Sequence, residues 1–229
     1  MENLNKLVRV TIICIIFYTL LNLGGASSME QESLIKLPQP VYDSSFSLEK
    51  AILKRRSIRR YKNEPLTINE VSQLMWAAQG ITDRSGLRTA PSAGALYPLE
   101  IYVIVGNVDG ITPGIYKYKP NEHELLLIEK KDNRGNLSDA ALTQGAIENG
   151  AIVIVISAVY ERTTRKYGER GIRYVHMEVG HVGQNISLQA VSLGLGTVVI
   201  GAFYDEEVKR IMKMPEEESP LYIMPVGRI

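Results

Sequence analysis

The sequence has little of what staples or metallates a small domain. Its one cysteine, Cys14, offers no partner for an internal disulfide and no thiolate set for a metal. Of the three histidines, His123, His176 and His181, the last two are five positions apart. On a helix they diverge, whereas a metal pair wants i, i+4 on one face. No metal site is expected. Net charge is nearly absent too, at +1 over 229 residues, while a nucleic-acid surface needs a sustained basic face. Nucleic acid is therefore not an expected partner. There is no P-loop, internal repeat or low-complexity tract. The length suits one medium-sized domain with a real core.

The first 28 residues differ from the rest. Lys6 and Arg9 precede an apolar run, Val10–Leu23, followed by Gly24-Gly25-Ala26-Ser27-Ser28. A positive start, an apolar middle and a small-residue end make a secretory signal, with cleavage expected after Ala26. The run is short for a membrane span of about 20 residues, yet an uncleaved anchor remains the competing reading. Either way the rest of the chain is expected outside the cytoplasm, touching membrane only through this segment. Residues 1–26 are read as signal peptide or anchor, 27–46 as an extended arm with Pro38 and Pro40, and 47–229 as the folded domain.

Within that domain the densest charge is Lys54-Arg55-Arg56-Ser57-Ile58-Arg59-Arg60-Tyr61, where five of eight residues are cationic. Guanidinium groups fork onto phosphate oxygens, and Ser57 adds a neutral donor. A solvated basic helix end, favoured by the helix dipole, is the plainer alternative. In a chain of near-neutral charge, a small phosphate ligand suits this cluster better than a polyanion.

The organisation reads as α+β. Ser47–Leu53 is a short amphipathic helix. Thr67-Ile68-Asn69-Glu70 is a capping box opening a helix that stops at Gly80. Residues 81–98 form a loop and Leu99–Val105 a strand. Gly114–Lys119 and Glu124–Lys130 form a hairpin, and Ser138 caps a helix to about Glu148. Ala151–Val159 is apolar enough for a strand buried on both faces. Gly171–Leu193 is the longest helix, thinned by Gly180 and Gly183. Thr197–Ala202 and Leu221–Val226 are strands, with a helix over Asp205–Met212 between them. Gly194-Leu195-Gly196 follows a helix and precedes a strand. That is the reverse of the dinucleotide fingerprint, so it reads as a helix C-cap.

One loop stands apart. Pro91-Ser92-Ala93-Gly94-Ala95-Leu96-Tyr97-Pro98 sets small residues directly before an apolar strand. Small side chains let backbone approach a flat ligand.

Taken together, these segments resemble the nitroreductase family, closest to its SagB/ThcOx-like branch, which includes azoline-oxidising enzymes. The resemblance rests on Arg55-Arg56-Ser57-Ile58-Arg59, on Pro91–Glu100, on Gly171-Ile172-Arg173-Tyr174…Glu178…Gly180-His181…Gln184-Asn185…Leu193-Gly194-Leu195-Gly196…Ile200-Gly201-Ala202-Phe203, and on Pro225-Val226-Gly227-Arg228. It runs from about residue 47 to the C-terminus. It implies a mainly antiparallel sheet flanked by helices, a domain-crossing homodimer, and FMN at each subunit interface, with NAD(P)H as a candidate electron donor. By position in the motifs, Arg55, Arg56, Ser57 and Arg59 would hold the flavin's phosphate, ribityl chain and pyrimidine edge, and Arg228 would reach the phosphate. Ser92, Ala93 and Gly94 would lie against the flavin ring from the other subunit, and Ile200 and Gly201 would offer backbone groups. Relatives that form azoles use a catalytic Lys-Tyr pair, which Lys166 and Tyr167 match here. An ammonium beside a phenol favours the ionised form and so a tyrosine base. A charged loop with a half-buried tyrosine is the plainer alternative. The implied activity is hydride transfer between FMN and a small-molecule or peptide substrate, as a dehydrogenase or an NAD(P)H-driven reductase. A non-catalytic FMN-binding sensor or partner subunit is the rival.

Overall fold

The structure is a computed structural model, described here over residues 34–229. The expected signal peptide or anchor lies outside the described residues. Leu34–Lys36 is β1, Leu48–Lys54 α1, Leu66–Thr67 β2 and Ile68–Gln79 α2. Then come Leu99–Val105 (β3), Val108–Asp109 (β4), Gly114–Lys119 (β5), Glu124–Glu129 (β6), Arg134–Ala140 (α3) and Gly145–Asn149 (α4). The chain ends with Ile152–Val159 (β7), Glu161–Tyr167 (α5), Arg170–Ser192 (α6), Leu195–Thr197 (β8), Asp205–Ile211 (α7) and Glu218–Arg228 (β9).

Seven strands form one sheet in the order β1-β6-β5-β3-β7-β9-β8. Every pairing in it is antiparallel, while β2 and β4 make a separate parallel pair. The central strand shows why the sheet is covered on both sides. Ile152, Ile154, Ile156 and Ala158 of β7 enter one core; Val153 and Val155, facing the other way, enter a second. A two-residue period with every position apolar demands cover on both faces. Leu74, Met75 and Ala78 of α2 and Val175, Val179, Val182, Ile186 and Ala190 of α6 cover the first face. Leu137, Ile147, Val208 and Ile211 of α3, α4 and α7 cover the second. The architecture is the helix-flanked, mainly antiparallel sheet expected from the sequence.

Local signals fix several ends. Ser47 caps α1 by accepting from the Lys50 amide at 3.2 Å. The capping box of α2 closes in both directions, Thr67 N donating to Glu70 Oε2 at 2.7 Å and Glu70 N donating to Thr67 Oγ1 at 3.3 Å. Gly194, at φ 71°, ends α6 in the left-handed region.

Some boundaries differ from the sequence expectation. Ser138 lies inside α3 rather than capping a helix to Glu148. Leu142 and Thr143 both take positive φ, 59° and 58°, and break the run into α3 and α4. The strand expected over Thr197–Ala202 is only β8, with Ile200 making a single bridge to Ile223. The charged stretch before the long helix is itself helical, as α5. The arm contributes β1, paired antiparallel to β6. No helix among the described residues is long and apolar enough to cross a membrane.

Candidate functional site

The basic segment leaves α1 at Arg55 and runs extended along the sheet edge. Ser57 bridges in parallel to Thr197 of β8, and Ile58 N donates to Thr197 O at 2.9 Å. Further on, Lys62 N donates to Arg228 O at 2.9 Å. Arg56, Ser57, Arg59 and Arg60 are exposed and Arg55 half-buried. None of these four arginines has a carboxylate within salt-bridge distance among the described residues. Arg56 is steered only by neighbouring carbonyls, Leu53 O at 3.1 Å and Arg55 O at 2.7 Å. Beside them opens a cavity of about 220 Å³, lined among others by Arg55, Arg56, Ser57, Gly180, Gly183 and Tyr222. No acidic side chain among the described residues lines it.

The donors fit an anionic cofactor. Unpaired guanidiniums and a hydroxyl suit a phosphate. At Gly183 a Cβ would stand 3.3 Å from the Tyr222 ring, while nothing lies within 4 Å of one added at Gly180. Arg55, Arg56 and Ser57 are thus the residues that would hold the FMN phosphate end. Ile200 and Gly201 are near through Tyr222, whose ring lies 4.0 Å from a Cβ added at Gly201. Arg59 is exposed beside Tyr61, where its charge opposes the effect of burial, which pushes that phenol's pKa up. Arg228 is placed differently from the expectation. Its guanidinium forks onto Glu70 at 2.6 and 2.9 Å and donates to Pro65 O, so it is committed to the start of α2.

The second group of expected residues meets elsewhere in the chain. The loop before β3 contains a turn over Ala93–Ala95 in which Gly94 (φ 66°) and Ala95 (φ 54°) take left-handed backbone, as does Tyr97 (φ 46°) beyond the right-handed Leu96. Only glycine does so cheaply. A Cβ at Gly94 would stand 2.8 Å from Tyr167 Oη and 3.0 Å from Lys166 Nζ. Gly94 therefore seats the Lys-Tyr pair at the end of α5. Lys166 Nζ lies 5.4 Å from the Tyr167 ring centroid, and Tyr174 packs edge-on against that ring at 5.2 Å. No residue of the 91–98 loop or of α5 lines the basic-segment cavity. The two groups of residues do not share that cavity.

The strained loop is held from several sides, in part by Arg88, Arg162, Lys117 and Glu218, which the sequence reading passed over. Tyr97 N donates to Ser92 Oγ at 2.9 Å, and Arg88 N donates to Tyr97 Oη at 3.2 Å. The Arg88 guanidinium lies 4.5 Å from the Tyr97 ring centroid. Arg162 of α5 donates to Tyr97 O at 3.1 Å and pairs with Glu100 at 2.5 Å. Glu100 shares Lys117 with the buried Glu218, which also accepts from Ser157 at 2.7 Å and Tyr102 at 3.1 Å. Burial pushes Glu100 up, but Lys117 and Arg162 more than offset it and hold the carboxyl below its ordinary range. Beneath the loop, on α6, burial pushes Glu178 up to about 6, with Ser92, Gln79 and Arg88 pulling the other way. The available signal for Glu178 was an acid set among Val175, Val179 and Val182, the buried stripe of α6.

Comparison with known proteins agrees with this geometry. The family model described as the nitroreductase family matches residues 52–228. A protein of Methanocaldococcus jannaschii named as a nitroreductase is 55% identical over 181 residues, 79% of this chain and 90% of that one. A crystal structure from Ralstonia eutropha, also described as a nitroreductase, superposes with a TM-score of 0.75 at 28% identity, covering 86% of this chain and 90% of that one. More distant are the microcin B17-processing protein of Escherichia coli, 27% identical over 72% of this chain, and an NADPH-dependent oxidoreductase of Staphylococcus aureus, 23% over 77%. The chain spans 63% and 62% of those two. The chain belongs to the nitroreductase family and is a flavin-dependent oxidoreductase.

Proposed function

We propose that the protein is an FMN-dependent dehydrogenase that works as a homodimer, exported or anchored with its domain outside the cytoplasm. The observation that carries the dehydrogenase reading is the seating of Tyr167 Oη and Lys166 Nζ on Gly94 of the small-residue loop. FMN, when bound, supplies a two-electron acceptor for a hydride. Tyr167 Oη would take the substrate proton released with it, with Lys166 Nζ beside it against the same loop glycine. Arg55, Arg56 and Ser57 would bind the phosphate, with Arg59 near the pyrimidine edge. Ser92, Ala93 and Gly94 would bring backbone against the ring. An azoline-bearing small molecule or peptide is the fitting substrate class, because oxidising that ring to an azole releases one hydride and one proton.

The dimer reading is supported by the two separate half-sites and by unpartnered apolar surface. Leu48, Ile52 and Leu53 of α1, and Ile172 and Met177 of α6, are all largely exposed. Such surface on helices next to a candidate site marks an interface. A partner chain would bring its loop and Lys-Tyr pair to this chain's basic segment.

The experiment is anaerobic stopped-flow reduction of the FMN-loaded protein by a thiazoline compound, with NADPH in parallel. Flavin bleaching by the thiazoline supports the dehydrogenase. Bleaching by NADPH alone would replace it with a reductase; the Staphylococcus aureus relative is named an NADPH-dependent oxidoreductase.

A further inference from the structure

The arm before α1 runs across α2 and is held at three points. At the first, Leu37 N donates to His123 O at 3.1 Å, and Ser72 Oγ of α2 donates to Pro38 O. His123 Nε2 stands 2.7 Å from Ser72 Oγ and 3.0 Å from Pro38 O, and its Nδ1 stands 2.8 Å from Tyr118 Oη. At the second, the Gln73 side chain takes both backbone groups of Val41, at 2.8 and 3.0 Å. At the third, the Tyr42 ring packs against Trp76 at 5.4 Å. Between the arm, α1, α2 and α6 lies a cavity of about 780 Å³, walled on the arm side by Val41, Tyr42 and Phe46 among others.

Only the first point holds a group that titrates near neutral pH. Ser72 and Tyr118 are each 1% exposed, so their hydroxyl protons need acceptors inside the protein. Ser72 gives its proton to Pro38 O, so Nε2 carries the ring proton and donates to Ser72 Oγ and Pro38 O. Tyr118 Oη has no other partner among the described residues, so Nδ1 accepts from it. One neutral tautomer satisfies every group. A second ring proton would sit on Nδ1 facing Tyr118 Oη, whose own proton would then have no acceptor. His123 itself takes φ 52°, backbone that glycine adopts more cheaply, so the imidazole is kept there against strain.

We propose that residues 37–46 are a strap closed over this cavity by neutral His123, and that protonation of His123 opens it. The charges around the ring act in the same sense. Burial pushes the His123 pKa down, the Pro38 carbonyl pulls it back, and the Lys36 ammonium on β1 adds to the fall. On β5, burial holds the Tyr118 phenol protonated, with Arg88 pulling the other way and Tyr42 adding to the rise. Ser72 and Pro38 are uncharged. Glu122 and Glu124 flank His123 in the hairpin, and no carboxylate among the described residues forms a salt bridge with it. In the open arrangement the imidazole regains its ordinary affinity for protons, so the open state binds more of them. Closure is therefore complete above the ordinary histidine value and is lost as the pH falls from there towards the lower value of the closed state. Val41 is 66% exposed, which leaves the Gln73 clamp wet and weak. The Tyr42 contact thus loosens with the latch.

Trp76 is the one tryptophan of the chain and reports the strap directly. On the full chain as purified, iodide quenching of its fluorescence and hydrogen exchange of the Leu37 amide are followed from about pH 8 to about pH 5. Acid should raise the quenching and lower the Leu37 protection factor about tenfold, the net worth of roughly one hydrogen bond. His123→Gln keeps an amide that donates towards Pro38 O but does not titrate, and both signals should become flat. Lys36→Gln removes the neighbouring ammonium and should move the midpoint to higher pH. Wild-type signals that stay constant across this range overturn the proposal, as does a transition that survives in His123→Gln. If His123→Gln does not fold, an unshifted midpoint in Lys36→Gln overturns it instead.

Discussion

The two groups of candidate residues are built on opposite principles. The basic segment is a string of adjacent residues, extended, exposed, and with no salt-bridge partners for Arg55, Arg56, Arg59 or Arg60 among the described residues. The loop side draws on Gln79, Arg88, Ser92, Tyr97, Glu100, Arg162, Lys166, Tyr167, Glu178 and, through Lys117, Glu218. Its polar groups are largely committed to one another. The first arrangement leaves charge free for an incoming anion. The second spends its interactions on holding a shape. A phosphate needs only charge within reach of solvent. A base must stand within about 0.5 Å of its working position, which takes rigid support.

That contrast can be broken most readily where the support is most buried. Glu218→Ala would strand Lys117 against Glu100 alone and remove the acceptor of Ser157 and Tyr102. Removing one partner of a buried pair costs about 3–5 kcal/mol, so urea unfolding should show a loss on that scale. A near-neutral result would mean that the network does not brace the loop side. Tyr167→Phe keeps the ring packed on Tyr174 and removes only the hydroxyl seated on Gly94. Thiazoline-driven flavin reduction should slow by roughly 10²–10⁴ with flavin affinity unchanged. Wild-type reduction in this variant would remove the tyrosine base.

On the other side, Arg56→Ala should leave stability alone and weaken FMN binding by about 1.5–3 kcal/mol, the scale of a charge-assisted hydrogen bond. Equilibrium dialysis reads this directly. Unchanged retention in both Arg56→Ala and Arg59→Ala would move the phosphate elsewhere. The smallest effect is expected at Arg228. Already paired with Glu70, it would contribute under about 1 kcal/mol to FMN affinity, the scale of partly solvated pairs, and Arg228→Lys should chiefly lower the melting temperature. A loss matching that of Arg56→Ala would show that the Glu70 pair opens to admit the phosphate.

The same contrast explains what the sequence made legible. The basic segment, the capping box at Thr67–Glu70, the strand at 99–105 and the doubly buried strand at 152–159 are local patterns, and all are found. The break at Leu142–Thr143 has no glycine or proline to mark it and is held instead by Gln144, whose amide donates to Ala141 O and Ala202 O. Arg228 sits in a motif that implies phosphate contact, but only the fold brings Glu70, far away in sequence, to its guanidinium. Arg88 and Arg162 carry no motif of their own, and the motif that includes Glu178 assigns it no role. Their roles come from contacts across three different elements, which periodicity does not encode.

The most direct test of the shared site mixes two variants, each damaged in one half. Arg56→Glu reverses charge at the basic segment, and Gly94→Glu forces a side chain at φ 66° onto Tyr167 and Lys166. Each alone should hold little FMN. Mixed dimers should regain about one flavin per dimer, because one of the two composite sites is then assembled from undamaged halves. Flavin absorbance of the tag-purified mixed species reads the count. Mixed dimers no more yellow than either parent would contradict a site completed across two chains.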